Sequence, residues 1–166
     1  MKTRRQFLAT TMSMAVPVLL FSTCGVSFAA ADVITKITKT DEEWKKMLTP
    51  DQYNILREEG TETPFSSPLN HEKRPGMFTC AGCGLDLFPS KFKFDSGTGW
   101  PSFFDCLHGH VETKSDHKLL MERTEYHCAR CGGHQGHIFN DGPAPTGLRY
   151  CNNGDALKFI PDEKEK

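Results

Sequence analysis

Apolar residues recur along this chain with two different periods, and the change of period near residue 60 separates two kinds of structure. Trp44, Met47 and Leu48, then Tyr53 and Leu56, fall at helical spacing. Thr40-Asp41-Glu42-Glu43 reads as a capping box opening a short helix through about Leu48, with its acids at the positive end. Thr49-Pro50-Asp51-Gln52 repeats the signal, with Pro50 suited to the first helical position and Gly60 to the stop after Glu59. From Thr61 onward Gly and Pro punctuate short runs, and alternation replaces the helical period. Strands are predicted at Met77 to Thr79, Lys91 to Phe94, Leu119 to Met121, Thr124 to His127, His137 to Phe139, Gly147 to Cys151 and Ala156 to Ile160. Asn152-Asn153-Gly154-Asp155 is the strongest turn signal and predicts a hairpin between the last two strands. The expected fold is mainly β: antiparallel sheets in one compact domain, with short N-terminal helices.

Composition narrows this further. A chain of 166 residues has room for about one domain, and its 14 Gly and 10 Pro argue against a helical bundle. Its hydrophobic share of 37%, with 12 Phe, still supplies a core, so only the Glu/Lys tail after Pro161 reads as solvated.

Residues 6 to 31 carry no charge, follow Lys2, Arg4 and Arg5, and are most apolar from Ala15 to Phe21. This is the pattern of an export signal, predicted to span 1–29 ahead of a domain at 30–166. Arg4-Arg5 within Thr3-Arg4-Arg5-Gln6-Phe7-Leu8 resembles a twin-arginine signal, and Ser27-Phe28-Ala29 offers a small-x-small cleavage site. An uncleaved anchor and acylation on Cys24 are the alternatives; Pro17 and several hydroxyls interrupt the span, and Phe21-Ser22-Thr23 makes a poor lipobox. Export by this route predicts a periplasmic protein, loaded with metal while still in the reducing cytoplasm, that meets the membrane only during export. Without the leader, 17 cations face 21 acids, so no basic nucleic-acid footprint is present.

The chemistry is concentrated in cysteines and histidines. Cys80-Ala81-Gly82-Cys83 and Cys128-Ala129-Arg130-Cys131, each followed by glycine, have the form of two knuckles supplying four thiolates to one tetrahedral zinc ion. Four thiolates leave no open position, so the ion is expected to be structural, one per chain, clamping two hairpins about 45 residues apart. Disulfides or a redox dithiol are the competing reading. Of the other cysteines, Cys106 and Cys151 lie in the predicted domain, and period-two alternation puts Arg149 and Cys151 on one strand face, with Asn153 able to join them. A guanidinium beside a thiol favours the thiolate that a nucleophilic cysteine needs. His134 and His137, followed by Asp141, offer a proton donor with a carboxylate to orient it. Trp100, in the Gly/Pro-rich loop Gly97 to Phe103, could wall a shallow pocket.

Taken together, Phe94-Asp95-Ser96-Gly97-Thr98-Gly99-Trp100-Pro101-Ser102-Phe103, His134-Gln135-Gly136-His137-Ile138-Phe139-Asn140-Asp141-Gly142-Pro143 and Thr146-Gly147-Leu148-Arg149-Tyr150-Cys151-Asn152-Asn153 closely resemble the B-class methionine sulfoxide reductases, as do the two knuckles. The resemblance runs from about Glu42 to Phe159. It implies a thiol-dependent reductase of the R epimer of methionine sulfoxide in proteins and peptides, on antiparallel sheets with structural zinc. Carried over by motif position, Cys151 is the nucleophile and His137 the proton donor. His134, Asp141, Arg149 and Asn153 surround them, and the Trp100 ring receives the substrate's S-methyl group. A thioredoxin-like or other thiol would restore the enzyme, and a monomer is expected. Thr98 stands where many relatives carry a resolving cysteine, which leaves Cys106 as the candidate resolver, with direct reduction by an external thiol as the alternative. Gln135, Asn152 and Gly154 also depart from the residues common at their positions. Two readings from other classes compete: a non-catalytic zinc-ribbon-like binding module, and a thiol-disulfide oxidoreductase working through a Cys-x-x-Cys pair.

Overall fold

The computed structural model describes residues 33–117 and 122–163. The expected export signal and the Leu119 to Met121 strand lie outside these residues. Both helices form where their caps predict. Helix α1 (Asp41–Met47) and helix α2 (Pro50–Glu58) each carry a complete capping box, on Thr40 with Glu43 and on Thr49 with Gln52. Glu59 closes α2 in the left-handed region, one residue before the predicted stop. Gly60 follows with the Asn54 side-chain amide packed over it, 2.4 Å from where a Cβ would stand. No helix among the described residues is long and apolar enough to cross a membrane.

Nine strands follow among the described residues: β1 (Gly76–Cys80), β2 (Asp86–Pro89), β3 (Lys93–Phe94), β4 (Ser102–Phe103), β5 (Val111–Asp116), β6 (Arg123–Cys128), β7 (His134–Phe139), β8 (Arg149–Asn152) and β9 (Leu157–Pro161). They make two antiparallel sheets, ordered β2-β1-β9 and β3-β4-β8-β7-β6-β5. Aromatic side chains from both sheets meet in the core: Phe88 of β2 stacks on Phe103 of β4 at 4.2 Å, Phe78 of β1 meets the same ring edge-on at 5.0 Å, and Tyr126 and Tyr150 pack 5.4 Å apart. All but Tyr150, at 9% exposure, are completely buried. Such rings dominate burial energetics, and removing one costs ~3–5 kcal/mol.

The predicted final hairpin does not form. After β8 the chain passes through a 3-10 turn at Gly154–Ala156 and enters the other sheet, where β9 pairs with β1. The turn signal is real, but the strands it joins pack in different layers. Lys91 to Phe94 is likewise only half strand, because a 3-10 turn at Ser90–Phe92 follows Pro89 and leaves Lys93–Phe94 as β3.

Candidate functional site

Strand β8 lies between β4 and β7, with Cys151 directly opposite Ser102 on one side and His137 on the other. Because side chains alternate, Arg149 and Cys151 share a face with His137 and Phe139, while Tyr150 points into the core. The close approach of β7 depends on Gly136, where a Cβ would sit 1.9 Å from the Cys151 carbonyl oxygen. Arg149 donates to both carboxylate oxygens of Asp141, from Nε at 2.7 Å and Nη2 at 2.8 Å, and lies over the Phe139 ring at 4.4 Å. The guanidinium is thus fixed beside the sulfur. Burial nevertheless raises the Cys151 thiol above its ordinary value; Arg149 and the Thr98 hydroxyl pull it back only in part. A guanidinium beside the thiol therefore does not by itself win the thiolate in the free protein.

Among the described residues Asp141 pairs with Arg149 and with no histidine, contrary to the sequence expectation. The histidine partners come from β5 and β6. Asp116 Oδ2 lies 2.7 Å from His137 Nε2 and 2.6 Å from Arg123 Nη2, and Glu125 Oε1 lies 2.9 Å from His134 Nδ1. Both carboxylates are buried; Asp116 sits opposite the Arg123 it pairs with, whereas Glu125 sits opposite His137 but pairs with His134. Lys114 joins Glu125 to Glu59 at the end of α2. Burial is the main reason His134 holds its proton less tightly than an ordinary histidine.

His137, Cys151, Asn153 and Trp100 line one solvent-open pocket with Thr61, Arg123 and Phe139. Its volume, about 130 Å³, is close to the ~150 Å³ of a cavity that accepts a benzene-sized guest, so it admits a single side chain. Glu62, not singled out in the sequence, organises the rim. Its carbonyl accepts from Trp100 Nε1 at 3.2 Å and its N–H donates to Asn153 Oδ1 at 3.0 Å. Its carboxylate accepts from the N–H groups of Gly154 and Asp155 at 2.8 and 2.9 Å. His134, Arg149 and Asp141 do not line it; His134 and Arg149 are buried, and the Asp141 side chain is exposed. Cys106 is not brought to this face: its thiol, raised by burial, interacts with the Tyr150 hydroxyl on the core side of β8. The side chains beside Cys151 on the β4 side are hydroxyls, with Ser96 Oγ 2.8 Å from both Thr98 and Ser102.

The knuckles close the β1–β2 and β6–β7 turns, one in each sheet. Their four sulfurs lie within 4.8 Å of one another, with Cys80–Cys131 at 3.7 Å and Cys83–Cys128 at 3.5 Å. A tetrahedral ion with metal–sulfur bonds of ~2.3 Å spaces its sulfurs about 3.8 Å apart, so the donor set fits one. Arg57 Nη1 donates to the Cys131 carbonyl at 3.1 Å, and Gly133 leaves room for Leu56, so α2 packs directly on the second knuckle.

Comparison with known proteins agrees with this geometry. The SelR domain family matches residues 48–161. A peptide methionine sulfoxide reductase MsrB of Methanosarcina barkeri is 53% identical over 131 residues, covering 78% of this chain and 92% of its own. Its counterpart in Methanosarcina mazei is 52% identical over 135 residues, covering 79% and 96%. That of Leptospira interrogans is 53% identical over 125 residues, covering 75% and 95%.

Proposed function

The chain belongs to the SelR-domain family, the B-class methionine sulfoxide reductases, oxidoreductases acting on methionine sulfoxide, and we propose that it reduces the R epimer within proteins and peptides. The observation that carries the mechanism is the register of β7 and β8, which sets Cys151 opposite His137 in a pocket walled by Trp100.

The substrate side chain enters with its methyl group against the Trp100 ring. The Cys151 thiolate attacks the sulfoxide sulfur, and His137 delivers a proton to the departing oxygen. Asp116 engages Nε2 of that ring, so the nitrogen left for the substrate is Nδ1. Methionine leaves and Cys151 keeps the oxygen as a sulfenic acid. One external thiol condenses with it, releasing water and forming a mixed disulfide; a second thiol opens that disulfide and restores Cys151. Methionine sulfoxide and two thiols thus become methionine, a disulfide and water. The placement of Cys106 against the core face of β8 favours direct attack by the external thiol, thioredoxin-like or other.

Zinc is the ion we assign to Cys80, Cys83, Cys128 and Cys131, where it would hold the sheets and take no part in the reaction. Repair of oxidised proteins in the periplasm by a monomer completes the proposal; the location rests on the twin-arginine-like sequence of residues 1–29.

Reduction of separated R and S epimers of a methionine sulfoxide peptide with dithiothreitol tests the reaction. Activity on the R epimer alone, abolished by Cys151→Ser and kept by Cys106→Ser, is expected. Metal-loaded protein that reduces neither epimer would sink the reading and leave a zinc-ribbon-like binding module.

A further inference from the structure

We propose that Gln135 and Asn152 form a buried amide bridge that ties the metal centre to the strand carrying Cys151. Both side chains are completely buried, an expensive position for primary amides unless they are paired. Gln135 Nε2 lies 3.5 Å from Cys80 Sγ, and its Oε1 accepts from Asn152 Nδ2 at 3.3 Å. The Gln135 carbonyl accepts twice more from the next residue along, from Asn153 N at 2.9 Å and Asn153 Nδ2 at 3.1 Å. Asn152 in turn donates its backbone N–H to the Pro101 carbonyl at 2.9 Å, beside Trp100. One residue of β7 therefore touches a metal-ligating sulfur at one end and both residues following Cys151 at the other.

The direction of the bridge is set by the metal. A metal-bound thiolate can only accept, so the amide nitrogen of Gln135 must face Cys80. Its oxygen must then face Asn152, and the Asn152 nitrogen must turn to meet it. Asn152 Oδ1 is left as a buried acceptor with no partner among the described residues, a cost borne by the orientation the bridge imposes. When the metal leaves, Cys80 becomes a thiol that can donate as well as accept, so the sulfur no longer imposes one orientation on the chain of amides and the side-chain tie to Asn152 weakens. Conversely, cutting the bridge at Asn152 frees Gln135 from the far side and loosens its hold on Cys80. Partners of metal ligands ordinarily tune affinity in this way, but here the partner reaches the reactive cysteine's own strand. The inference rests on the four cysteines binding a metal and is independent of which substrate Cys151 attacks.

The test uses metal-loaded protein and two readouts that need no turnover: the rate of metal transfer to a chromogenic chelator, and the rate of Cys151 alkylation by iodoacetamide followed by peptide mass spectrometry. Gln135→Leu, which removes the donor to Cys80, should speed metal release about tenfold or more. Asn152→Leu touches no metal ligand, yet it should also speed release, and the double variant should add little to Gln135→Leu alone. Gln135→Leu, at a residue that does not line the Cys151 pocket, should also change Cys151 alkylation severalfold. Release from folded Asn152→Leu at the wild-type rate would overturn the bridge, as would faster release in Gln135→Leu with unaltered Cys151 alkylation. Should the leucine variants fail to fold, Gln135→Met and Asn152→Ala carry the same expectations.

Discussion

At Cys151 two opposed forces act on one sulfur. Burial raises its thiol, while the Arg149 guanidinium and the Thr98 hydroxyl lower it. Because Arg149 supplies the larger of the two lowering effects, Arg149→Met should move the alkylation midpoint of Cys151 to higher pH still, so that alkylation near neutrality slows. An unchanged midpoint would mean that the guanidinium does not act on the sulfur. The proposed proton donor is set up by a different pair. Asp116 holds His137 through Nε2, and removing a positioned acid costs ~10²–10⁴ in rate. His137→Gln should therefore lower kcat by that order with little change in KM. Asp116→Asn should lose less, since an amide oxygen can still accept from the ring, but it should distort the pH profile of kcat. A normal profile in Asp116→Asn would remove Asp116 from the orienting role.

The turn between β8 and β9 shows the same economy at the level of the element. It carries the chain from one sheet to the other, and Glu62 fastens it by accepting the N–H groups of Gly154 and Asp155 while its own backbone holds Trp100 and Asn153. Leaving a buried backbone donor unpaired costs ~1–3 kcal/mol, so Glu62→Ala should lower stability to chemical denaturation by about that much. It should also raise KM more than it lowers kcat, because the pocket rim loosens while Cys151 and His137 keep their register. A pure loss of stability at wild-type KM would make the clamp structural only. This element also shows how far the sequence could be read. The helices were legible because capping is local, decided within four residues. The knuckles and the Arg149/Cys151 face were legible because spacing and alternation are local too. The destination of β9 was not, since a turn signal names a change of direction without naming the sheet that receives the strand. Val111–Asp116 was missed because its middle residues are exposed and polar, so it shows no alternation. With it went Asp116, 21 residues from the histidine it touches, which left the nearby Asp141 as the only visible partner.

Across the described domain, the four cysteines occupy turns of different sheets: Cys80 and Cys83 close β1–β2, and Cys128 and Cys131 close β6–β7. A metal held by all four is therefore a fastener between layers, and its binding energy adds to folding; for small structural zinc sites that energy is ~10–16 kcal/mol at neutral pH. A larger β domain with its own aromatic core should not unfold outright without metal, but it should lose a large part of its stability. Stripping with a strong chelator is expected to lower Tm substantially and to abolish reduction of the R epimer, although no metal-ligating sulfur lines the Cys151 pocket. Re-addition of zinc should restore both together. The same experiment separates the competing use of the cysteines. If the knuckle thiols were a redox dithiol, stripping would free them to work, and thiol-disulfide exchange would rise as the metal left. Loss of sulfoxide reduction with no gain in exchange assigns the four cysteines to holding the sheets, and leaves Cys151 as the thiol that reacts.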